Sequence, residues 1–239
     1  MRPSVGFAAV RLLEASGCDV EVPTAQTCCG QPAYNSGDTH NAKALAQSTI
    51  AAFEGFDYVV APSGSCAAML KRHYSKLMTG DDEAQEKAAS FAERVYELVS
   101  FLANVRGVTS LPGTYDGRVT YHDGCSGLRE LGIKSEPRKL LAAVPGLDFV
   151  EMPDCETCCG FGGLFSVKYP GISAAIAAKK TAHAAAVHPD LLLSGELGCL
   201  MNIAGKLARE GSSVGCRHIA EVLAGEMSAP PIAQPQKQT

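Results

Sequence analysis

Glu156-Thr157-Cys158-Cys159-Gly160-Phe161-Gly162-Gly163 repeats a pattern the chain has already used at Gln26-Thr27-Cys28-Cys29-Gly30-Gln31-Pro32. Both copies read Thr-Cys-Cys-Gly. Each follows a short apolar stretch ending in Pro, and each precedes a helical pattern. Neighbouring Cα atoms lie only ~3.8 Å apart. A disulfide wants about 4.4–6.8 Å in a defined geometry, so the paired cysteines are poor partners for each other. Two thiolates this close suit a multi-metal cluster better than a structural bridge.

Working outward, the surroundings of the two doublets match. In the first half, residues 4–16 read as a helix with Phe7, Val10 and Leu13 on one face. Residues 18–22 alternate like a strand, and the doublet follows. Asp38 is placed to cap a helix over 38–55. Residues 58–61 form an apolar run of the kind a buried parallel strand shows, ending at Pro62-Ser63-Gly64-Ser65-Cys66, with a helix onward to about 77. Asp82 and Gln85 fit a capping box before a long helix. Its apolar seam of Ala88, Phe91, Val95, Leu98, Leu102 and Val105 recurs at spacings of 3, 4, 3, 4 and 3. Residues 107–117 read as a linker. The second half runs strand 118–122 up to Cys125, helix 137–144, strand 147–152, doublet, helix 171–187, strand 190–194, Cys199 with a helix to 209, strand 212–216 and helix 219–223.

The syntax is therefore used twice, with 130 residues from Cys28 to Cys158 and 133 from Cys66 to Cys199. The expected architecture is α/β: a first Cys-Cys-Gly unit over 1–110, a second over 118–225, and a disordered tail over 227–239. Strands alternating with helices imply parallel sheets, with the chemistry in loops at the strands' carboxyl ends. Cys66, Cys125, Cys199 and both doublets each follow a strand pattern closely, so they should converge.

The chain has 239 residues, 46% hydrophobic and 19% charged, with a net charge of -4. That is a globular composition, and it lacks the concentrated basic face that nucleic acid requires. No apolar run approaches the roughly 18 residues of a membrane span. The start lacks the apolar core of a signal peptide, so the expected compartment is the reducing cytoplasm. Ten cysteines there read as metal ligands or redox thiols.

Thiolates hold iron–sulfur clusters, often four to a cluster. The second half offers Cys125, Cys158, Cys159 and Cys199; the first offers Cys28, Cys29 and Cys66, one short of four. Cys18 and Cys216 fall inside strand patterns and read as small buried hydrophobes. Cys155 reads either as a spare thiol or as a fifth ligand.

Five stretches carry a family resemblance: 2–14, 25–37 (AQTCCGQPAYNSG), 61–66, 122–130 (HDGCSGLRE) and 156–165 (ETCCGFGGLF). They resemble the lactate-utilisation protein A family of iron–sulfur proteins with two Cys-Cys-Gly domains. Related units occur in heterodisulfide reductase, in the iron–sulfur component of glycolate oxidase and in anaerobic glycerol-3-phosphate dehydrogenase. The resemblance implies [4Fe-4S] clusters and electron transfer from L-lactate oxidation in the cytoplasm. It also implies a partner iron–sulfur subunit and a third subunit. The chain departs from the family pattern in two ways. Ser63 and Glu196 stand where a Cys-x-x-Cys would put its first cysteine, which argues against the five-cysteine cluster of heterodisulfide reductase. The family also begins with a strand and a cysteine-bearing loop ahead of the Arg2-Pro3-Ser4 helix, so the first half is expected to lack its opening strand and first ligand.

Four other chemistries compete. Gly160-Phe161-Gly162-Gly163 fails the dinucleotide fingerprint because Phe165 occupies the last glycine position. A structural zinc module would fit four thiolates, yet zinc knuckles need Cys-x₂₋₄-Cys pairs and Cys155/Cys158 is the single one. A cysteine nucleophile would need a base; His122, three residues before Cys125, reads instead as hydrogen-bonded scaffold. His73, His183 and His188 read as solvated. A thiol–disulfide redox protein, resembling the disulfide-splitting component of heterodisulfide reductase, is the nearest functional alternative.

Overall fold

The computed structural model describes residues 2–234. The first half runs α1 (Ser4–Ala15), α2 (Gln31–Ser36), α3 (Thr39–Ala52), β1 (Val59–Ala61) and α4 (Gly64–Ala68). A π-helical turn, Met69–His73, leads into α5 (Tyr74–Leu77). Then come α6 (Asp82–Glu93), β2 (Val95–Glu97), α7 (Leu98–Ser100) and a second π-helical turn, Phe101–Val105. The caps follow the sequence chemistry. Asp38 accepts from Asn41 N at 3.2 Å to start α3. Asp81, one residue ahead of the expected cap, accepts from Ala84 N at 3.1 Å to start α6. In α1 the buried stripe is Val5, Ala8, Ala9, Leu12 and Leu13; Phe7, expected inside, is 71% exposed.

The second half runs β3 (Gly117–Tyr121), α8 (Cys125–Leu131), α9 (Ser135–Ala142), β4 (Leu147–Phe149), α10 (Leu164–Lys168), α11 (Pro170–Ala185), β5 (Leu191–Ser194), α12 (Leu197–Arg209), β6 (Gly215–His218) and α13 (Ile219–Ala224). There are two parallel sheets. One is β1-β2, with Val59 opposite Val95 and Ala61 opposite Glu97. The other has the order β4-β3-β5-β6. The α/β class and the parallel pairing are as the alternating pattern predicts. β1 and β2 correspond to β5 and β6 in the repeat.

Two expected elements differ. The long helix from 82 to 105 breaks at Arg94, and Val95–Glu97 joins the sheet instead. Val59 N donates to Arg94 O at 2.9 Å. The apolar edge of β1 thus offers a ladder to a β-branched residue, and that pairing overrides the helical periodicity. Residues 18–22 join no ladder among the described residues. Cys18 N closes α1 on Leu13 O at 3.1 Å, and Cys18 and Val20 pack on the core. Their repeat counterpart, β4, pairs with β3, for which the described first half has no equivalent. An alternating segment without a neighbour stays extended but unpaired.

The cores tie the halves together. α1 of the first half packs on α13 of the second, and α9 of the second packs on α7 of the first. One cluster holds Leu12 and Leu13 of α1, Leu98 and Leu102, Leu140 and Leu141 of α9, and Ile219 and Leu223 of α13. Each half thus packs one of its helices, α1 or α9, on a helix near the end of the other. Glu221, fully buried, anchors this exchange: it accepts from Arg2 Nε at 2.9 Å and Ser4 Oγ at 2.7 Å. Two further cores lie under the separate halves.

The expected disordered tail begins instead with residues laid on β6. Ile232 N donates to Cys216 O at 2.9 Å, and Arg217 Nη2 donates to Ala229 O at 2.6 Å. Residues 235–239 and Met1 lie outside the described residues.

Candidate metal centre

The first set is built where β1 ends. Ser63 caps α4 and presents Cys66 in its first turn. Cys29 Sγ donates to Cys66 Sγ at 3.5 Å, and Tyr74 OH holds the doublet by donating to Cys29 O at 2.9 Å. The contact shifts the two thiols in opposite directions. The Cys29 contact lowers Cys66 to about 7, against the effect of burial. The Cys66 contact and burial drive Cys29 upward. Cys28 is exposed beside them. Cys29 and Cys66 open into a groove of about 860 Å³ bordered by the free edge of β1, Arg2, Met201 and Ile232.

The second set is more enclosed. Gly160 takes φ 84°, as Gly30 takes 83° at the matching position. A Cβ at Gly160 would lie 2.6 Å from Ser173 O, so only glycine lets the doublet loop sit against α11. Ser173 Oγ donates to Gly160 O at 2.8 Å, and Asn202 Nδ2 to Cys159 O at 2.8 Å. Lys180, fully buried, donates to Asp154 O at 2.9 Å and Cys155 O at 3.0 Å. Backbone N–H groups point at sulfur: Gly160 N to Cys158 Sγ at 3.3 Å and Phe161 N to Cys159 Sγ at 3.4 Å. Cys159, Cys199 and His122 are buried, with one ligand atom of each within 4.8 Å of the others. Cys158 touches Cys159, and that contact with burial pushes Cys158 up. The same contact favours the Cys159 thiolate, but Cys199 and burial outweigh it and push Cys159 up to about 12. Cys125 is raised by burial and then by the nearby Cys158.

The loop behind this set is fixed by charge. Burial opposes ionisation of Asp123, but Arg138 and Lys134 overcome it and hold its carboxyl below the usual range. Arg138 Nη1 lies 2.6 Å from Asp123 Oδ1, and Lys134 Nζ lies 3.0 Å from Asp123 Oδ2. Cys155 Sγ accepts from Lys134 Nζ at 3.3 Å, which places Cys155 in this ionic network.

Between the sets, Glu196 meets its own repeat counterpart. Its Oε2 accepts from Ser63 Oγ at 3.2 Å and Ser65 Oγ at 2.9 Å, and its Oε1 accepts from Ser65 N. The two positions without cysteine are thus bonded to each other. Beside them, Glu97 and Glu196 line a cavity of about 20 Å³, room for one water.

The donor set fits a thiolate-held metal group. Burial raises most of these thiols, and a bound cation would reverse that by deprotonating them outright. The N–H groups aimed at Cys158 and Cys159 favour the thiolate form.

The CCG cysteine-rich domain family matches residues 1–71 and 119–204. The "Lactate utilization protein A" of Oceanobacillus iheyensis is 49% identical over 219 residues, 92% of this chain and 89% of that protein. A "Lactate utilization protein A 2" of Bacillus cereus is 46% identical over 222 residues, 93% of this chain and 92% of that one. A "Lactate utilization protein A 1" of Bacillus anthracis is 45% identical with the same coverage. The chain belongs to the lactate utilization protein A family.

Within this family frame, two residues escaped sequence reasoning. His122 reads from sequence as hydrogen-bonded scaffold, but neither ring nitrogen has a partner among the described residues. Burial, with Lys180 adding to it, pushes His122 down to about 3, against Asp123 and the Cys155 backbone, so the ring is neutral. Its signal was the position at a strand end, three residues before a cysteine. Lys180 lay unmarked in an alanine-rich helix. Of the other histidines, His73 is not solvated; its Nε2 lies 2.7 Å from Glu130 Oε2, linking the halves. Cys216 is buried, as a small hydrophobe would be. Among the described residues no helix is long and apolar enough to cross a membrane.

Proposed function

We propose that the protein is an iron–sulfur electron-transfer subunit of a cytoplasmic system that oxidises L-lactate to pyruvate, acting beside a partner iron–sulfur subunit and a third subunit. The observation that carries this reading is the gathering of Cys159, Cys199 and His122 within 4.8 Å in a buried pocket, with Cys158 and Cys125 adjoining. Cys125, Cys158, Cys159 and Cys199 would hold the second cluster, and Cys28, Cys29 and Cys66 would contribute to the first. The family named for lactate utilisation supports the pathway. Such clusters supply one-electron transfer at a potential tuned by their surroundings. The chain's own part is to aim N–H groups at the thiolates and to balance their charge with Lys180. Each half, 1–110 and 118–225, carries one set.

Anaerobic purification with iron and sulfide analysis tests the reading. The expected result is iron, acid-labile sulfide and a visible absorption band bleached by dithionite. Zinc without iron overturns it. Cys158→Ser should lose the second cluster while Cys216→Ser keeps it; equal loss in both would sink the ligand set. Deleting the gene in a strain without another lactate dehydrogenase should stop growth on L-lactate.

A second reading has its own observation. Cys29 and Cys66, whose sulfurs lie 3.5 Å apart, form a dithiol that gives two electrons and two protons to an external oxidant on becoming a disulfide. Mild oxidation of metal-free protein followed by peptide mapping would show a Cys29–Cys66 crosslink if that chemistry operates.

A further inference from the structure

The five donors of the second half divide by burial. Cys125 and Cys158 are exposed, whereas His122, Cys159 and Cys199 are buried together. Four thiolates satisfy a cluster without help, so the imidazole needs its own explanation. His122 is 1% exposed, and neither ring nitrogen makes a well-formed hydrogen bond among the described residues, although the Cys155 backbone lies close enough to favour the charged ring. A buried polar atom left unpaired costs stability. The ring cannot easily leave. β3 ends at Tyr121, and His122 N still donates to Leu193 O of β5 at 2.8 Å. Lys180, the nearby buried cation, donates to Asp154 O and Cys155 O and gives the ring no hydrogen bond. Two sulfurs and an imidazole thus lie within 4.8 Å of one another in a buried pocket. Imidazole and thiolate are both first-choice ligands for iron and zinc.

We propose that His122 is a nitrogen ligand of the centre that Cys159 and Cys199 hold, giving the second site mixed nitrogen–sulfur ligation. This rests on the reading of that cysteine set as a metal site. Relative to a thiolate at the same position, a neutral imidazole leaves the centre less negative and raises its potential, as histidine ligation does in other iron–sulfur centres. Buried Lys180 acts in the same direction. Cys125 and Cys158 then form the solvent-facing side.

Protein labelled with nitrogen-15 only in its six histidines is reconstituted anaerobically with ferrous iron and sulfide, then reduced. Pulsed electron paramagnetic resonance reads the nitrogen coupling. The expected result is the strong coupling of a directly bound nitrogen. His122→Cys should keep the iron, lose that coupling and titrate at a lower potential. Should His122→Cys not fold, the wild-type spectrum decides alone. If the site takes zinc instead, X-ray absorption at the zinc edge reads the same nitrogen. Metal held without a bound nitrogen, or coupling unchanged in His122→Cys, overturns the ligand assignment and leaves the cysteine site standing. A chain that takes up neither metal overturns both.

Discussion

Glu97 ends β2 with 5% exposure, its Oε2 accepting from Ser100 N at 2.9 Å to cap α7. Burial raises its carboxyl to about 7, against the pull of the Ser100 and Val99 backbone. The folded state therefore binds a proton that the unfolded chain releases above about 4.5. Its contribution to stability is full below about 4.5 and is lost as pH rises to about 7, on the order of 3 kcal/mol in total. Glu97→Gln keeps the cap acceptor and removes the titration. Urea unfolding from pH 4.5 to 8 should show the wild type losing stability relative to Glu97→Gln across that window. Parallel curves would exclude Glu97 as the source. At this scale the two doublets and the Cys66/Cys199 pair stand out in the sequence because the repeat writes them twice. His122 and Lys180 do not, because what makes them notable is the company of Cys159 and Asp154, supplied by other elements. Glu196 stood out as a missing cysteine, but its bonds to Ser63 and Ser65 required the halves to meet.

α4 and α8 approach so closely that a Cβ on Gly64 would lie 2.9 Å from Gly127 Cα and 2.9 Å from Glu196 Oε1. Gly6, inside α1, has nothing within 4 Å of the same position. Gly64→Ala should therefore destabilise the fold by about 1–3 kcal/mol through overpacking. Gly6→Ala should stabilise it by about 0.5–1 kcal/mol by favouring the helix. Midpoints of thermal or urea unfolding measure both; a stabilised Gly64→Ala would contradict the packing described. Element types were mostly legible where apolar period and caps agreed, as in α3 and α12. Two of the misreadings fall where a neighbour decides. Val95 leaves a helical seam because β1 offers a ladder, and residues 18–22 stay unpaired for want of one.

The exchange of helices across the molecule makes the two cysteine units interdependent. Fragments 1–110 and 118–225 lose the partners of α1 and α9 respectively. Expressed alone, each should show no cooperative unfolding transition; mixed or co-expressed, they should recover one. Two independent transitions would show the units to be separate domains. Sequence reading yields two units of matching syntax but no hint of the swap, since α1 and α9 look like ordinary amphipathic helices in either arrangement. The pin between Arg2 and Glu221 spans 219 residues of sequence. A ribosome adding about 5–20 residues per second needs roughly 10–40 s to deliver the second partner after the first. Throughout that interval the apolar stripe of α1 has no α13 to cover it. The nascent chain is therefore a client for hydrophobe-binding chaperones from its first helix onward.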